Sequence, residues 1–297
     1  MSKETLGLIY ATCAYGLWGL FPLYWPYLAQ ANALEIVSHR AVWSLIFCAL
    51  ILGFTKSIRA TFSLLSDGKV ALRLFFAAIF VSANWLIFIW AVNHGHVVEA
   101  SLGYYINPIF MIAFGILFLR EKMRPLQWIT TCIAFLGVLV LTIDYGRLPW
   151  VAFGLALSWG SYSYVKKKLG LNALQGLAIE TAILSLPYLA YIIYLGEKGT
   201  GQFAHGISIT LLLIGSGVVT AVPLLFFNAA ATRLPFTTIG LIQFVTPTLL
   251  FAIGVWINHE EMSAGRWAGF FIIWVALIAL ALDLLRSSRT LSNSVDK

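Results

Sequence analysis

Gly115-Ile116-Leu117-Phe118-Leu119-Arg120-Glu121-Lys122-Met123-Arg124-Pro125-Leu126-Gln127-Trp128 is answered, 139 positions later, by Gly254-Val255-Trp256-Ile257-Asn258-His259-Glu260-Glu261-Met262-Ser263-Ala264-Gly265-Arg266-Trp267. The same register runs without a gap from Leu86/Leu225 through Phe88/Phe227, Ala91/Ala230 and Pro108/Pro247 to Asp144/Asp283. Leu and Ala matches carry little weight in so apolar a chain. Matched Pro, Glu, Met, Trp and Asp at one spacing mark a duplicated unit. Two earlier landmarks recur at slightly different spacings, Trp18-Gly19 with Trp159-Gly160 and Glu35 with Glu180. In a membrane chain, duplication of this kind points to transport.

Composition places the chain in a membrane. It is 60% hydrophobic and 10% charged, with mean hydropathy +0.88, whereas soluble domains carry about 25% charged residues. Ten apolar stretches, 5–29, 34–54, 71–93, 97–119, 126–144, 148–166, 173–195, 207–231, 236–258 and 264–285, are each long enough for a ~30 Å hydrocarbon core. The fold class expected is therefore all-α, ten transmembrane helices in two five-helix repeats, residues 1–146 and 147–297. The first stretch exceeds the 7–15 residues of a signal-peptide core, so it reads as a retained helix despite Ala29-Gln30-Ala31. Cys13, Cys48 and Cys132 lie in apolar stretches without CxxC spacing. They read as buried fillers, with no metal site and no cofactor.

Charge sets the orientation. With the N-terminus in the cytoplasm, fifteen Lys and Arg fall on that side and only Arg147, Lys198 and Arg266 on the other. This positive-inside bias accounts for the basic net charge of +7 without nucleic acid, and it puts both termini in the cytoplasm. Five crossings per unit invert the second repeat relative to the first. Basic Arg120-Glu121-Lys122 then faces inward and its acidic mate His259-Glu260-Glu261 faces outward. Inverted repeats allow two pseudo-symmetric states, open to opposite sides, by exchange of conformations between the halves.

Polar residues inside apolar stretches are the candidate site. Arg40 within 34–54 costs roughly 3 kcal/mol at the membrane centre, so it needs a partner or a wet cavity. Glu35 and His39 share its neighbourhood at i, i+4 spacing. Arg40 reads either as a carboxylate clamp or as half of a structural ion pair with Glu99. Glu180, deep in 173–195, is either a proton-coupling site, with Glu35 and Glu99 as further candidates, or a packed carboxyl. Asn84, Trp85, Tyr104, Tyr105, Asn107, Asn228 and Gln243, with the deep pair Trp18 and Trp159, could line a cavity with aromatic walls and polar handles. Hydrogen bonding between helices is the alternative. Pro108 and Pro247 are candidate equivalent hinges, or fixed kinks. Gly265 and Gly269 at i, i+4 spacing permit close helix contact, internal or between copies. His259-Glu260 lacks the second His of a zincin, and there is no GxSxG elbow or P-loop. An enzyme is not expected.

Several blocks also resemble a known group. His39-Arg40-Ala41-Val42-Trp43-Ser44, residues Asn84 to Asn93, and Glu99-Ala100-Ser101-Leu102-Gly103-Tyr104-Tyr105-Ile106-Asn107-Pro108 are similar to the RarD group of the EamA family, in the drug/metabolite transporter superfamily. Ala229-Ala230-Ala231-Thr232-Arg233-Leu234 and Ile273-Trp274-Val275-Ala276-Leu277 are similar too. The resemblance spans essentially the whole chain. It implies a ten-helix inverted repeat in a bacterial inner membrane, exporting a small metabolite or drug-like solute. It leaves the cargo open and supplies no binding motif. The expected partners are a small-molecule substrate, the lipid bilayer and protons as coupling ion, with the chain a monomer. A passive facilitator and a non-transporting sensor are the competing readings.

Overall fold

The structure, a computed structural model, describes residues 3–119, 125–231, 233–234 and 242–295. The side chains of Pro108 and Asn228 lie outside that description. Every regular element among the described residues is helical, as a chain deprived of water for its backbone groups requires. In chain order they are α1 (Lys3–Gly19), α2 (Ala33–Phe54), α3 (Ile58–Phe62), α4 (Gly68–Asn93), α5 (Val97–Leu119), α6 (Pro125–Tyr145), α7 (Trp150–Leu169), α8 (Ala173–Lys198), α9 (Ile207–Ala231), α10 (Val245–Ala252) and α11 (Ala264–Val295). Five of these, α2, α4, α6, α8 and α9, are long and apolar enough to cross a membrane. A sixth follows if α1 and residues Phe21–Leu28 form one bent span.

The ends of the helices follow from their sequence. Asn32 accepts a hydrogen bond from the Glu35 amide at 2.8 Å, Asp67 from the Lys69 amide at 2.8 Å, and Asn172 from the Leu174 amide at 2.9 Å, capping α2, α4 and α8. α7 and α8 stop at Gly170 and Gly199, whose φ of 62° and 64° is left-handed. The stretch 5–29 is not one helix. α1 ends at Gly19, and two short 3₁₀ turns, Phe21–Leu23 and Trp25–Leu28, continue at an angle of 41°. Pro22 and Pro26 lack the amides that would extend the α-ladder. Pro247 sits in the first turn of α10, directly after the turn at Gln243 and Phe244, where its missing amide costs nothing. A second irregularity in that region is the π-turn Ile253–Ile257.

Packing links the two halves of the chain throughout. α2 lies against α8, α5 against α10, and α6 against α11. α1 packs on α9 and α10, while α7 packs on α4 and α5; α2 also touches α9, and α4 touches α8. Glycine lets α6 and α11 close up. A methyl group at Gly269 would sit 2.5 Å from Leu141 Cγ and 3.1 Å from the Gly137 carbonyl. Gly265 and Gly269 therefore serve contact within the chain. One core surrounds Trp25, Ile36, Phe88, Ile89, Leu155 and Leu213, and a second gathers Tyr105, Leu141, Phe251 and Phe270. Leu50, Phe54, Phe135, Leu186 and Phe271 are exposed, an apolar surface suited to lipid.

Candidate functional site

α2 is an apolar helix with one polar stripe, Glu35, Ser38, His39, Arg40 and Ser44, all buried. Arg40 is 4% exposed. Its Nε donates to Thr220 Oγ1 at 2.7 Å, and the Thr220 hydroxyl donates in turn to the Ser216 carbonyl at 2.8 Å. The guanidinium carbon lies 4.2 Å from the Trp85 ring centroid, 5.2 Å from Trp25 and 5.7 Å from Phe21. Desolvated contacts of this kind contribute about 2 kcal/mol. Together with the charged hydrogen bond, at about 1.5–3 kcal/mol, they offset the cost of holding the cation in the bundle. They leave its charge uncompensated, because no carboxylate among the described residues lies within ion-pair distance of Arg40.

The three buried carboxylates are engaged elsewhere. The expected Arg40–Glu99 pair does not form. Glu99 accepts from Arg147 Nη2 at 2.8 Å and from the Val151 amide at 2.9 Å, closing the start of α7. Arg147 is the nearer cation because it leads directly into that helix. Glu35 accepts from the Gln202 amide at 2.6 Å. Glu180, with no exposure, accepts from Lys166 Nζ at 2.8 Å and from the Tyr162 hydroxyl at 3.1 Å.

Of the other candidates, Asn84 and Tyr104 lie with Trp85 near Arg40. Asn84 Nδ2 donates to the Leu155 carbonyl and to Ser158 Oγ, each at 3.1 Å, and its Oδ1 accepts from the Tyr104 hydroxyl at 3.3 Å. Tyr104 also stands edge-on to Phe88 and lies within electrostatic reach of Arg40. Trp18 packs on Tyr15 and Phe227, and Trp159 on Tyr162. His39 stacks on Phe203 at 4.7 Å and accepts from Trp43 Nε1 at 3.3 Å, while its Nε2 is buried without a partner. Tyr105 faces the second core, where it bonds Thr248 at 2.9 Å and meets Phe270 and Trp274. Asn107 is buried with an unpartnered Oδ1. Gln243 is half-buried ahead of α10.

Thr220, Trp25, Phe21, Tyr162 and Lys166 escaped the sequence reading. Ser216 and Thr220, four residues apart in the apolar run of α9, were the available signal for the first. Outside the spans, Glu260 takes the Val97 and Val98 amides at 2.6 and 2.9 Å and caps α5. Burial raises its pKa, against the pull of those two amides. Burial likewise lowers that of His96, which lies 3.8 Å from Glu99.

Comparison with known proteins agrees with this architecture. Residues 5–143 match the EamA-like transporter family. The chain is 46% identical to Protein RarD of Streptomyces exfoliatus, over 97% of this chain and 92% of that one. It is 40% identical to the uncharacterized transporter YojE of Bacillus subtilis (strain 168), over 95% and 96%. It is 39% identical to Protein RarD of Escherichia coli (strain K12), over 98% and 99%. A crystal structure 14% identical in sequence shares the fold, with a TM-score of 0.63 over 94% of this chain and 98% of that one. The chain is an integral membrane protein that belongs to the EamA-like transporter family, alongside relatives named RarD.

Proposed function

We propose that this chain is a secondary active transporter that exports a small metabolite or drug-like solute by alternating access. The observation that carries the reading is Arg40, a buried cation fixed by Thr220 and three aromatic rings, with no carboxylate among the described residues to neutralise it. An anionic or carboxylate group on the solute completes the site, received by a guanidinium fork already held in place. Trp85 and Tyr104 supply walls and Asn84 a polar contact.

The ten-crossing inverted repeat, residues 1–146 and 147–297, finds support in the pairing of helices. Exchange each of α1, α2, α4, α5 and α6 with α7, α8, α9, α10 and α11. α2/α8, α5/α10 and α6/α11 then map onto themselves. α1/α9 becomes α7/α4, α1/α10 becomes α7/α5, and α2/α9 becomes α8/α4. The most extensive helix contacts are thus their own image under this exchange, as a pseudo-two-fold axis produces, and an odd crossing number makes the repeats antiparallel. The charge bias of the loops supports cytoplasmic termini in a bacterial inner membrane. Protons couple through Glu180, whose protonation releases Lys166 and Tyr162. The transporting unit is a monomer.

The test is untargeted metabolite profiling of medium and cytoplasm, comparing cells that overproduce the chain with cells making Arg40→Ala at matched membrane levels. A compound enriched outside only with the intact chain supports export through Arg40. Equal export by both proteins overturns the role given to Arg40.

A further inference from the structure

Where α1 stops at Gly19 and bends away, the two prolines leave an apolar groove of about 310 Å3 against α9. Leu17, Leu20 and Phe21 form one wall, and Val218, Val222 and Pro223 the other. That volume is at the lower end of sites that hold small ligands, roughly 300–1,000 Å3. Leu20 and Val218 are 44% and 42% exposed, so the groove opens on the apolar outer surface of the bundle. None of its lining residues is charged.

The groove and the buried cation share a wall. Phe21 lines the groove, is itself buried, and lies 5.7 Å from the Arg40 guanidinium carbon. On the opposite helix Val219 lines the groove, while Thr220, the next residue, holds Arg40 Nε. One aromatic ring thus separates an uncompensated positive charge from an uncharged slot open to lipid. Tyr24 also lines it, but its hydroxyl is engaged with the Leu212 carbonyl, so a fully hydrated solute finds little polar contact in such a slot. An amphiphile has a place for each of its parts.

We infer that the solute is an amphiphilic carboxylate that enters sideways from the bilayer between α1 and α9, its tail in the Leu17–Val222 groove and its head on Arg40. This deepens the proposed function and rests on Arg40 as the anion site. Phe21 is the gate, since its ring must turn aside for the head to pass. Val222, two residues beyond Thr220 on the α9 wall, lines the groove and serves the tail slot.

The probe is a twelve-carbon fatty carboxylate bearing a diazirine at its far end, photolysed with the full chain in lipid nanodiscs and mapped by peptide mass spectrometry. Labelling is expected to concentrate on residues 17–24 and 218–223. Excess dodecanoate should compete it away and dodecanol should not. Arg40→Gln should lower labelling of both segments at least fivefold. Val222→Trp, which fills the groove and keeps Arg40, should abolish labelling there. Labelling spread evenly over exposed apolar helices, and unchanged by either substitution, overturns the lateral route as ordinary lipid contact. Arg40-dependent labelling that maps to residues 84–88 and 104 instead overturns the groove and leaves the anion site standing.

Discussion

Lys166→Met is the most informative perturbation of the buried charges. Glu180 has no exposure, and its carboxylate is held by Lys166 Nζ at 2.8 Å and by the Tyr162 hydroxyl at 3.1 Å. Removing the lysine strands the carboxylate with one neutral donor. Breaking a buried pair from one side costs about 3–5 kcal/mol. Glu180→Gln leaves the cation instead. Lys166 is 17% exposed near the end of α7, so its long stem can carry the charge toward water. The loss there is smaller, about 1–2 kcal/mol, because water takes over part of a charged hydrogen bond of about 1.5–3 kcal/mol. The double variant removes both charges and should lie near Glu180→Gln, giving a coupling close to the whole Lys166→Met loss, about 3–5 kcal/mol, in a double-mutant cycle. Thermal midpoints of the purified chain, read by size-exclusion chromatography after heating, report these differences. At roughly 2–4 °C per kcal/mol, Lys166→Met should lose about 6–20 °C and the double variant should recover most of it. A Lys166→Met midpoint equal to the parent's, or strictly additive effects, would refute the ion pair as a structural clamp.

Other expectations follow from packing and charge at the ends of the bundle. Gly269→Ala places a methyl group 2.5 Å from Leu141 Cγ; separation of α6 from α11 should cost about 1–3 kcal/mol, seen as a lowered thermal midpoint. Glu260→Ala frees two amides at the start of α5 and should lose about 1–2 kcal/mol, most visible as faster amide exchange at Val97 and Val98. Burial lowers the His96 pKa in the fold. The unfolded chain therefore binds the extra proton, and stability falls as pH drops below about 6.5. The midpoint should decline from pH 7.5 to pH 5, and His96→Gln should flatten that decline; an unchanged slope would discount the burial of the ring.

What could be read from the sequence, and what could not, divides by range. The helices α2, α4, α5, α6 and α9 begin and end within about three residues of the apolar stretches, because the length of an apolar run is a local property. Pro22 and Pro26 marked where the first stretch could kink, but the 3₁₀ turns there and the short α3 were missed, since apolarity does not distinguish an α-turn from a 3₁₀ turn. Arg40 stood out as a lone charge among apolar residues. Its partner Thr220 is 180 positions away, and no spacing rule reaches that far. Tyr104 and Tyr105 looked equivalent by depth. Neighbouring residues in a helix point about 100° apart, and only Tyr104 meets Asn84, while Tyr105 turns to Phe270. The alternative that paired Glu99 with Arg40 failed because membrane depth was legible and the loop that brings Arg147 over Glu99 was not.

The central claim is that Arg40 acts through its charge in a chamber that solutes reach. The most direct measurement is chemical rescue of Arg40→Cys, with Cys13, Cys48 and Cys132 replaced, in sealed vesicles loaded with the exported compound. A cationic methanethiosulfonate should restore efflux while a neutral reagent of similar size should not. Equal rescue by the neutral reagent, or full efflux by the unmodified variant, would contradict it.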